Sequence, residues 1–155
     1  MGMNLPVERY GVTRNERFCC YKIDESLYMM ILEEGENLPV ERRGSLGWHA
    51  KQLERKGFEI YPESRGVFLP HRVDMHLSGY LSFDKGCYKG QEIIARMHYR
   101  ATLKHELACL TIETTQKLQS GQPLYSEDGA DEIGVLVDYC PVDKGRFLVL
   151  VSRST

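Results

Sequence analysis

The sequence predicts an α+β protein in which a small α+β layer is followed by a C-terminal antiparallel β-barrel. Two observations favour this fold class. Up to about residue 100, segments of strand and helix composition are separated by polar loops, and beyond it short strand-like segments alternate with turns. We therefore expect two domains, a partial α+β domain over residues 1–100 and a small β-barrel over residues 101–155.

The first domain is predicted to have a strand–strand–helix–strand order, which is half of a ferredoxin-like layer. The second of these strands is apolar at every position, so we expect both of its faces to be covered. Ser45 is the expected N-cap of the helix, Gly57 its expected end, and Pro62 the expected end of the last strand. The predicted elements are strands over 18–23, 27–32 and 58–61 and a helix over 46–56.

A loop-rich stretch over 62–84 leads to a predicted helix over 90–99, in which Ile93, Ile94 and Met97 form an apolar stripe. Short strands then follow at regular spacing with turns between them, which is typical of a small barrel or sandwich. The predicted strands are 106–112, 122–125, 132–139 and 146–152.

The composition is that of a soluble globular protein, with 42% hydrophobic and 27% charged residues. No apolar run approaches the roughly 20 residues of a membrane span, and the N-terminus lacks a signal-peptide pattern, so we expect no membrane partner and a cytoplasmic location. A net charge of −2 argues against a globally basic nucleic-acid-binding protein but allows a local basic patch. The five cysteines include no C-x-x-C pair and the histidines lack metal-ligand spacing, so we expect no metal site made by this chain alone.

The stretch 83–92 contains the strongest candidate for chemistry, the thiol of Cys87. This residue lies between Lys85 and Lys89 and just before the predicted start of the 90–99 helix. Cationic neighbours and a helix N-terminus both favour the thiolate, which is the reactive form of cysteine. An ordinary glycine-containing turn before a helix, with an incidental cysteine, explains the same residues equally well.

Two further features are candidates for ligand binding. Trp48, the only tryptophan, lies beside His49 on the predicted 46–56 helix, where its ring either anchors the helix on the sheet or offers a platform for a planar ligand. A basic segment with aromatic neighbours suits either an anion-binding surface, for nucleic acid or a polyglutamyl tail, or a solvated helix face. Its cations are Lys85, Lys89, Arg96, Arg100 and Lys104.

The stretch 85–96 reads Lys-Gly-Cys-Tyr-Lys-Gly-Gln-Glu-Ile-Ile-Ala-Arg. It resembles the signature of the YgfZ group of the folate-binding aminomethyltransferase-like superfamily, which includes the glycine-cleavage T protein. The preceding segment 79–83 and the basic residues beyond the motif extend the resemblance. Members of the group usually carry a longer N-terminal segment, so we expect this chain to correspond to their C-terminal part, and Ala101 stands where they often have a glycine.

The resemblance implies roles for the motif residues. Lys85 and Cys87 match the residues thought to matter for function, and the implied task of the thiol is to accept a one-carbon unit, hold a persulfide or touch a cluster on a partner. Trp48 lies upstream at about the distance of a tryptophan with which the family stacks on the pterin ring of its cofactor, tetrahydrofolate or a derivative. The implied cofactor-binding residues are Trp48, Tyr88, Gln91, Glu92, Arg96 and Arg100.

The function that the resemblance implies is that of a folate-binding accessory protein in iron–sulfur cluster maintenance and tRNA modification. Its implied partners are iron–sulfur enzymes or assembly proteins, with tRNA as an indirect partner. Two alternatives stay open. One is a folate-dependent aminomethyltransferase of the glycine-cleavage T type, and the other is a non-catalytic module that binds a partner protein through the 83–92 stretch.

Overall fold

The computed structural model describes residues 4–38, 44–100 and 104–155. In these ranges two antiparallel sheets and two α-helices are present, which confirms the expected α+β class. By its internal contacts the chain divides into two compact units, Met1–Arg42 and Arg43–Thr155, and each is described by itself. The boundary expected near residue 100 falls inside the second unit and, as a domain boundary, stays a prediction.

The first unit is a three-stranded antiparallel sheet in which the strands follow one another in chain order. The strands are β1 (Val12–Arg14), β2 (Phe18–Lys22) and β3 (Tyr28–Leu32). Both strands that were predicted for this part of the chain are confirmed, and β1 is an additional short edge strand.

One face of β3 is open to solvent. Met29 and Ile31 are 54% and 67% exposed, so the expectation that both faces of this strand are covered is wrong. The apolar run therefore behaves as a strand of a two-faced antiparallel sheet, in which alternate residues point to opposite sides. Cys20 of the neighbouring β2 is fully buried, as its apolar context indicates.

The second unit combines two α-helices, two 3₁₀ turns and a four-stranded antiparallel sheet. Its helices are α1 (Gly44–Glu54) and α2 (Gln91–Arg100), and its 3₁₀ turns are Pro62–Ser64 and Pro70–Val73. Its strands are β4 (His105–Glu113), β5 (Pro123–Tyr125), β6 (Glu132–Asp143) and β7 (Arg146–Ser154). In the described part of the chain no helix has both the length and the apolar character needed to cross a membrane.

The four strands of this sheet have the order β4-β7-β6-β5, and each neighbouring pair is antiparallel. β4 and β5 remain the two edges, and within the described residues they do not pair with each other. The antiparallel sheet is therefore confirmed, whereas its closure into a barrel is not.

Both faces of the four-stranded sheet are covered. On one face the buried residues are Leu53 of α1, Val73 of the second 3₁₀ turn, and Leu107, Val137, Cys140 and Leu150 of the strands. On the other face they are Leu118, Leu136, Val149 and Val151. Neighbouring residues such as Val149 and Leu150 belong to different clusters because successive side chains of a strand point to opposite faces.

A bulge in β6 turns Asp138 towards α1. Leu136 pairs with Val151 and Asp138 pairs with Leu150, so that Val137 is an extra residue on β6. Directly paired residues share a face of a sheet, and Leu150 lies in the cluster that contains Leu53 of α1. Without the bulge, the side chain at position 138 would point to the opposite face.

Two details of the predicted elements are wrong. The segment 58–61 pairs with no strand of the described residues, because the N–H of Glu59 donates to the carboxylate of Asp138 and not to a neighbouring strand. Helix α1 begins at Gly44, so Ser45 lies in its first turn and is not its N-cap.

We expect Leu53→Ala to lower the free energy of unfolding by about 2–5 kcal/mol, because it leaves a cavity beneath α1 where the side chain is fully buried. Urea titration followed by circular dichroism measures the change. Leu46→Ala is the matched control, since Leu46 is on the same helix and 55% exposed, and it should change the free energy by less than about 0.5 kcal/mol. Equal losses for both variants would contradict the packing of α1 through Leu53.

Candidate functional site

The carboxylate of Asp138 is fully buried and is the centre of a hydrogen-bond network. It accepts from the backbone N–H of Glu59 at 2.9 Å, from the hydroxyl of Tyr61 at 2.8 Å and from the N–H of Tyr139 at 2.7 Å. His49 Nε2 lies 3.1 Å from both carboxylate oxygens. Because a carboxylate only accepts hydrogen bonds, Nε2 of His49 carries a hydrogen and donates it. The network joins α1, the segment 58–61 and β6.

Each donor lowers the cost of burying this charge, which would be high without partners. Burial and then the hydrogen bond to Asp138 raise the pKa of Tyr61 well above its ordinary value. The phenol therefore stays a neutral donor throughout the physiological pH range. The carboxylate thus holds the imidazole of His49 and the ring of Tyr61 in fixed orientations.

A cavity of about 350 Å³ lies beside this network. Four aromatic residues, Trp48, Phe58, Tyr61 and Tyr80, line it together with His49 and Gln52. The volume is within the range of small-molecule sites, and aromatic walls with a few polar groups are typical of them. We name this cavity the Trp48 pocket.

Trp48 lines this pocket and is not a core anchor of α1. Its side chain is 47% exposed, whereas the buried residue of the helix is Leu53, with Ala50 packed against the same cluster. The interpretation of Trp48 as an anchor of the helix on the sheet is therefore not supported, and the ligand platform stays a prediction. Tyr80 belongs to the segment 79–83, so the stretch that precedes the motif contributes a wall of the pocket.

The other predicted site residues lie elsewhere, on the motif loop and on α2. In the described part of the chain, none of them is among the residues that line the Trp48 pocket. Cys87 is exposed and lies just before α2, which begins at Gln91, as the sequence predicts. The residues concerned are Lys85, Cys87, Tyr88, Gln91, Glu92, Arg96 and Arg100.

Several motif residues make local contacts that shape the loop. The Nζ atom of Lys85 lies 4.7 Å from the centroid of the Tyr88 ring, a cation–π distance. The N–H of Gln91 donates to the carbonyl of Tyr88 at 3.2 Å, and Gly90 has a φ of +88°, which favours glycine. Glu92 lies in the first turn of α2, where a negative charge is favourable.

A ring cluster links the motif to the rest of the unit. Phe83 stacks on His98 of α2 at 3.7 Å between centroids, and His71 of the second 3₁₀ turn lies 4.9 Å from His76 and 6.2 Å from His98. His71 is 1% exposed, and neither of its ring nitrogens has a hydrogen-bond partner among the described residues. Burial, followed by the charges of His76 and His98, lowers the pKa of His71.

Three of the other four cysteines differ from Cys87 in their surroundings. Cys20 and Cys140 are buried and Cys109 packs against the core, and burial raises the pKa of each of these thiols. Within the described ranges no group of three or more histidine, cysteine, aspartate or glutamate side chains is placed to hold a metal ion. Ala101 lies outside the described residues.

Sequence reasoning missed Asp138, Tyr61 and Tyr80. The signal for Asp138 was a single acid inside the apolar run 135–140. A carboxylate in such a run is expected to be buried, and a buried carboxylate needs hydrogen-bond donors around it. Tyr61 and Tyr80 carry no comparable signal. No family model matches this chain, so the chemistry of the site must follow from its own geometry and from the motif.

We expect Asp138→Asn to lower the free energy of unfolding by about 1–3 kcal/mol, because donors approach both carboxylate oxygens and an amide has only one acceptor. Urea titration measures the loss. Asp131→Asn, a substitution of an exposed residue, should change stability by less than about 0.5 kcal/mol. A loss no larger than this for Asp138→Asn would show that the network is not stabilising.

The stability of the protein should fall as the pH falls below about 6.5, the ordinary histidine pKa. The folded-state pKa of His71 lies below this value, so the unfolded chain binds more protons there and the folded state loses stability as the pH falls. Urea midpoints at pH 7.5, 6.5 and 5.5 measure the effect. His71→Phe should flatten the dependence, with a residual slope from His105, whose pKa is also lowered. An unchanged slope would contradict this role of His71.

Proposed function

We propose that this protein binds tetrahydrofolate or a derivative in the Trp48 pocket and acts as an accessory protein in iron–sulfur cluster maintenance. Through cluster-containing enzymes it would serve tRNA modification. The resemblance of the stretch 85–96 to the YgfZ signature supports the class of function. The observation that carries the proposal is the aromatic cavity around Trp48, because it offers a planar ligand a preformed site.

The lining of the pocket suits a pterin ring. Trp48 and Tyr80 offer aromatic faces for stacking, and the amide of Gln52 can pair with ring donors and acceptors. His49 faces Asp138 through Nε2, which leaves Nδ1 on the side of the ring away from the carboxylate. Because Asp138 holds His49 and Tyr61, little ordering would be required when a ligand binds.

Cys87 and Lys85 would act toward a partner protein. The thiol is exposed, on a loop whose basic residues include Lys85 and Lys89. An iron–sulfur enzyme or assembly protein would present to this thiol either a cluster or a persulfide, whose outer sulfur atom would pass to Cys87 while the partner's thiolate leaves. The exposure of the loop equally supports the second candidate, a non-catalytic docking module, in which the same surface binds the partner without chemistry at Cys87.

Two finer expectations remain part of this proposal. The resemblance implies that the four-stranded sheet corresponds to the C-terminal barrel of the family. It also implies that the protein acts in the cytoplasm.

We expect tetrahydrofolate to quench the fluorescence of Trp48 with saturation, because stacking on the indole changes the emission of the only tryptophan. Excitation at a wavelength where the ligand absorbs little, with inner-filter correction, gives the dissociation constant. Tyr80→Ala should weaken binding about tenfold, the loss of one stacking contact.

Tyr125→Ala is the matched control, since Tyr125 is 55% exposed on β5 and outside the Trp48 pocket. It should leave the dissociation constant unchanged. Absence of saturable quenching, or equal affinities of the Tyr80 and Tyr125 variants, would refute folate binding at this pocket.

A further inference from the structure

A second cavity, of about 320 Å³, lies at the end of the four-stranded sheet that contains the start of β4 and the end of β7. We name it the Arg72 pocket. Its lining is mostly polar and comes from the second 3₁₀ turn and from strands β4, β6 and β7. The residues that matter are Arg72, His105, Glu132, Gly134, Ser152 and Ser154.

The backbone of Arg72 is held on both sides. Its N–H donates to the carbonyl of Leu69 at 2.9 Å, and its carbonyl accepts from the buried hydroxyl of Ser152 at 2.8 Å. Its side chain is held less completely, because Nε is buried and has no hydrogen-bond partner among the described residues. A buried guanidinium donor in this state requires an acceptor to offset its lost hydration.

The natural acceptor for a guanidinium is a planar or tetrahedral oxyanion, and among the described residues none is bonded to Arg72 Nε. Glu132 is the acid of the pocket, but it is exposed, and no ion pair joins it to Arg72 in the described structure. The nearby Arg153 shows the contrast, since its Nε donates to Glu106 at 2.7 Å. In the described part of the chain, Arg72 therefore lines the pocket without a carboxylate paired to its guanidinium.

The imidazole of His105 lines the same cavity. His105 is half-buried, and burial followed by the positive charge of Arg72 lowers the pKa of its imidazole. The groups with charge that face it across the pocket are Arg72 and Glu132. An anion between the guanidinium and the imidazole would remove their mutual repulsion and favour the protonated ring.

The backbone near the cavity is also specialised. Gly134 has a φ of +150°, and a Cβ there would lie 2.5 Å from the carbonyl oxygen of Ser152. Only glycine allows β6 to approach β7 this closely, and so keeps the end of the sheet in this geometry.

From these observations we propose that the Arg72 pocket binds a small oxyanion, a phosphate, sulfate or carboxylate group, between the guanidinium of Arg72 and the protonated imidazole of His105. This site belongs to no part of the proposed folate function, and it stands or fails independently of it.

The test is an NMR titration of the whole chain with sodium sulfate, at constant ionic strength set with sodium chloride. Sulfate is the probe because its charge does not change over the pH range of interest. The amides of Gly134 and Ser154 should shift with saturation, and phosphate and acetate arms then distinguish a tetrahedral from a planar ligand. Absence of saturable shifts at these amides for all three anions would overturn the proposal.

The variants identify the residues that bind. Arg72→Met should weaken sulfate binding at least tenfold, whereas Arg153→Met, which removes an equal charge already paired with Glu106, should change it by less than twofold. Equal losses would show unspecific attraction and overturn the site. If Arg72→Met does not fold, Glu132→Gln provides the test. It removes the exposed negative charge that repels the anion and should strengthen sulfate binding two- to threefold. An unchanged affinity refutes the site.

The pH dependence gives a further readout. Affinity for sulfate should rise as the pH falls from 8 to 5.5, because His105 must be protonated to contribute a positive charge. His105→Gln should abolish this rise while Arg72 still binds the anion. A rise of equal size in His105→Gln would overturn the role of the imidazole.

Discussion

The buried carboxylate of Asp138 is the constraint on which the arrangement of the second unit depends. A charge at this depth is tolerated only where donors converge on it, and here α1, the segment 58–61 and β6 itself each supply at least one. The β6 bulge makes this possible, because it brings the side chain to the side of the sheet that α1 covers. Loss of any donor would leave a carboxylate oxygen of Asp138 short of a hydrogen bond in the interior. The network therefore holds α1, the segment 58–61 and β6 together.

The same network explains why the Trp48 pocket is preformed. Fixing His49 fixes the face of α1 that presents Trp48, and fixing Tyr61 fixes another wall. A cavity with walls held by hydrogen bonds loses little conformational entropy when it is filled, which favours binding of a rigid planar ligand. Cys87 lies outside this pocket. It is exposed, on a loop whose shape is set by contacts among neighbouring motif residues. The second unit thus combines a pocket whose walls are held by hydrogen bonds with a motif loop whose cysteine is exposed.

Because the motif residues do not line the Trp48 pocket, their contacts point to a structural role in the loop before α2. Tyr88 and Gln91, expected to hold a cofactor, make contacts that close the turn before α2. The stacking of Phe83 on His98 then joins the start of the motif to the last turn of that helix. Trp48 and the position of Cys87 before α2 could be predicted from the sequence, because an isolated tryptophan and a glycine-bounded helix start are visible locally. That Tyr80 lines the same pocket as Trp48 could not be predicted, because nothing local relates a tyrosine in a loop to a distant helix.

The sequence by itself determined the secondary structure over most of the chain, the α+β class, and the place of Cys87 before a helix. These features follow from periodicity, turn residues and helix-end signals, which act over a few neighbouring residues. Only the tertiary structure decided the bulge in β6, the Asp138 network and the burial of Arg72 Nε without a hydrogen-bond partner among the described residues. Their partners are far apart in the chain, with His49 and Tyr61 separated from Asp138 by 89 and 77 positions. The physical reason is that the cost of a buried charge, and the donors that offset it, exist only once the chain has folded around it.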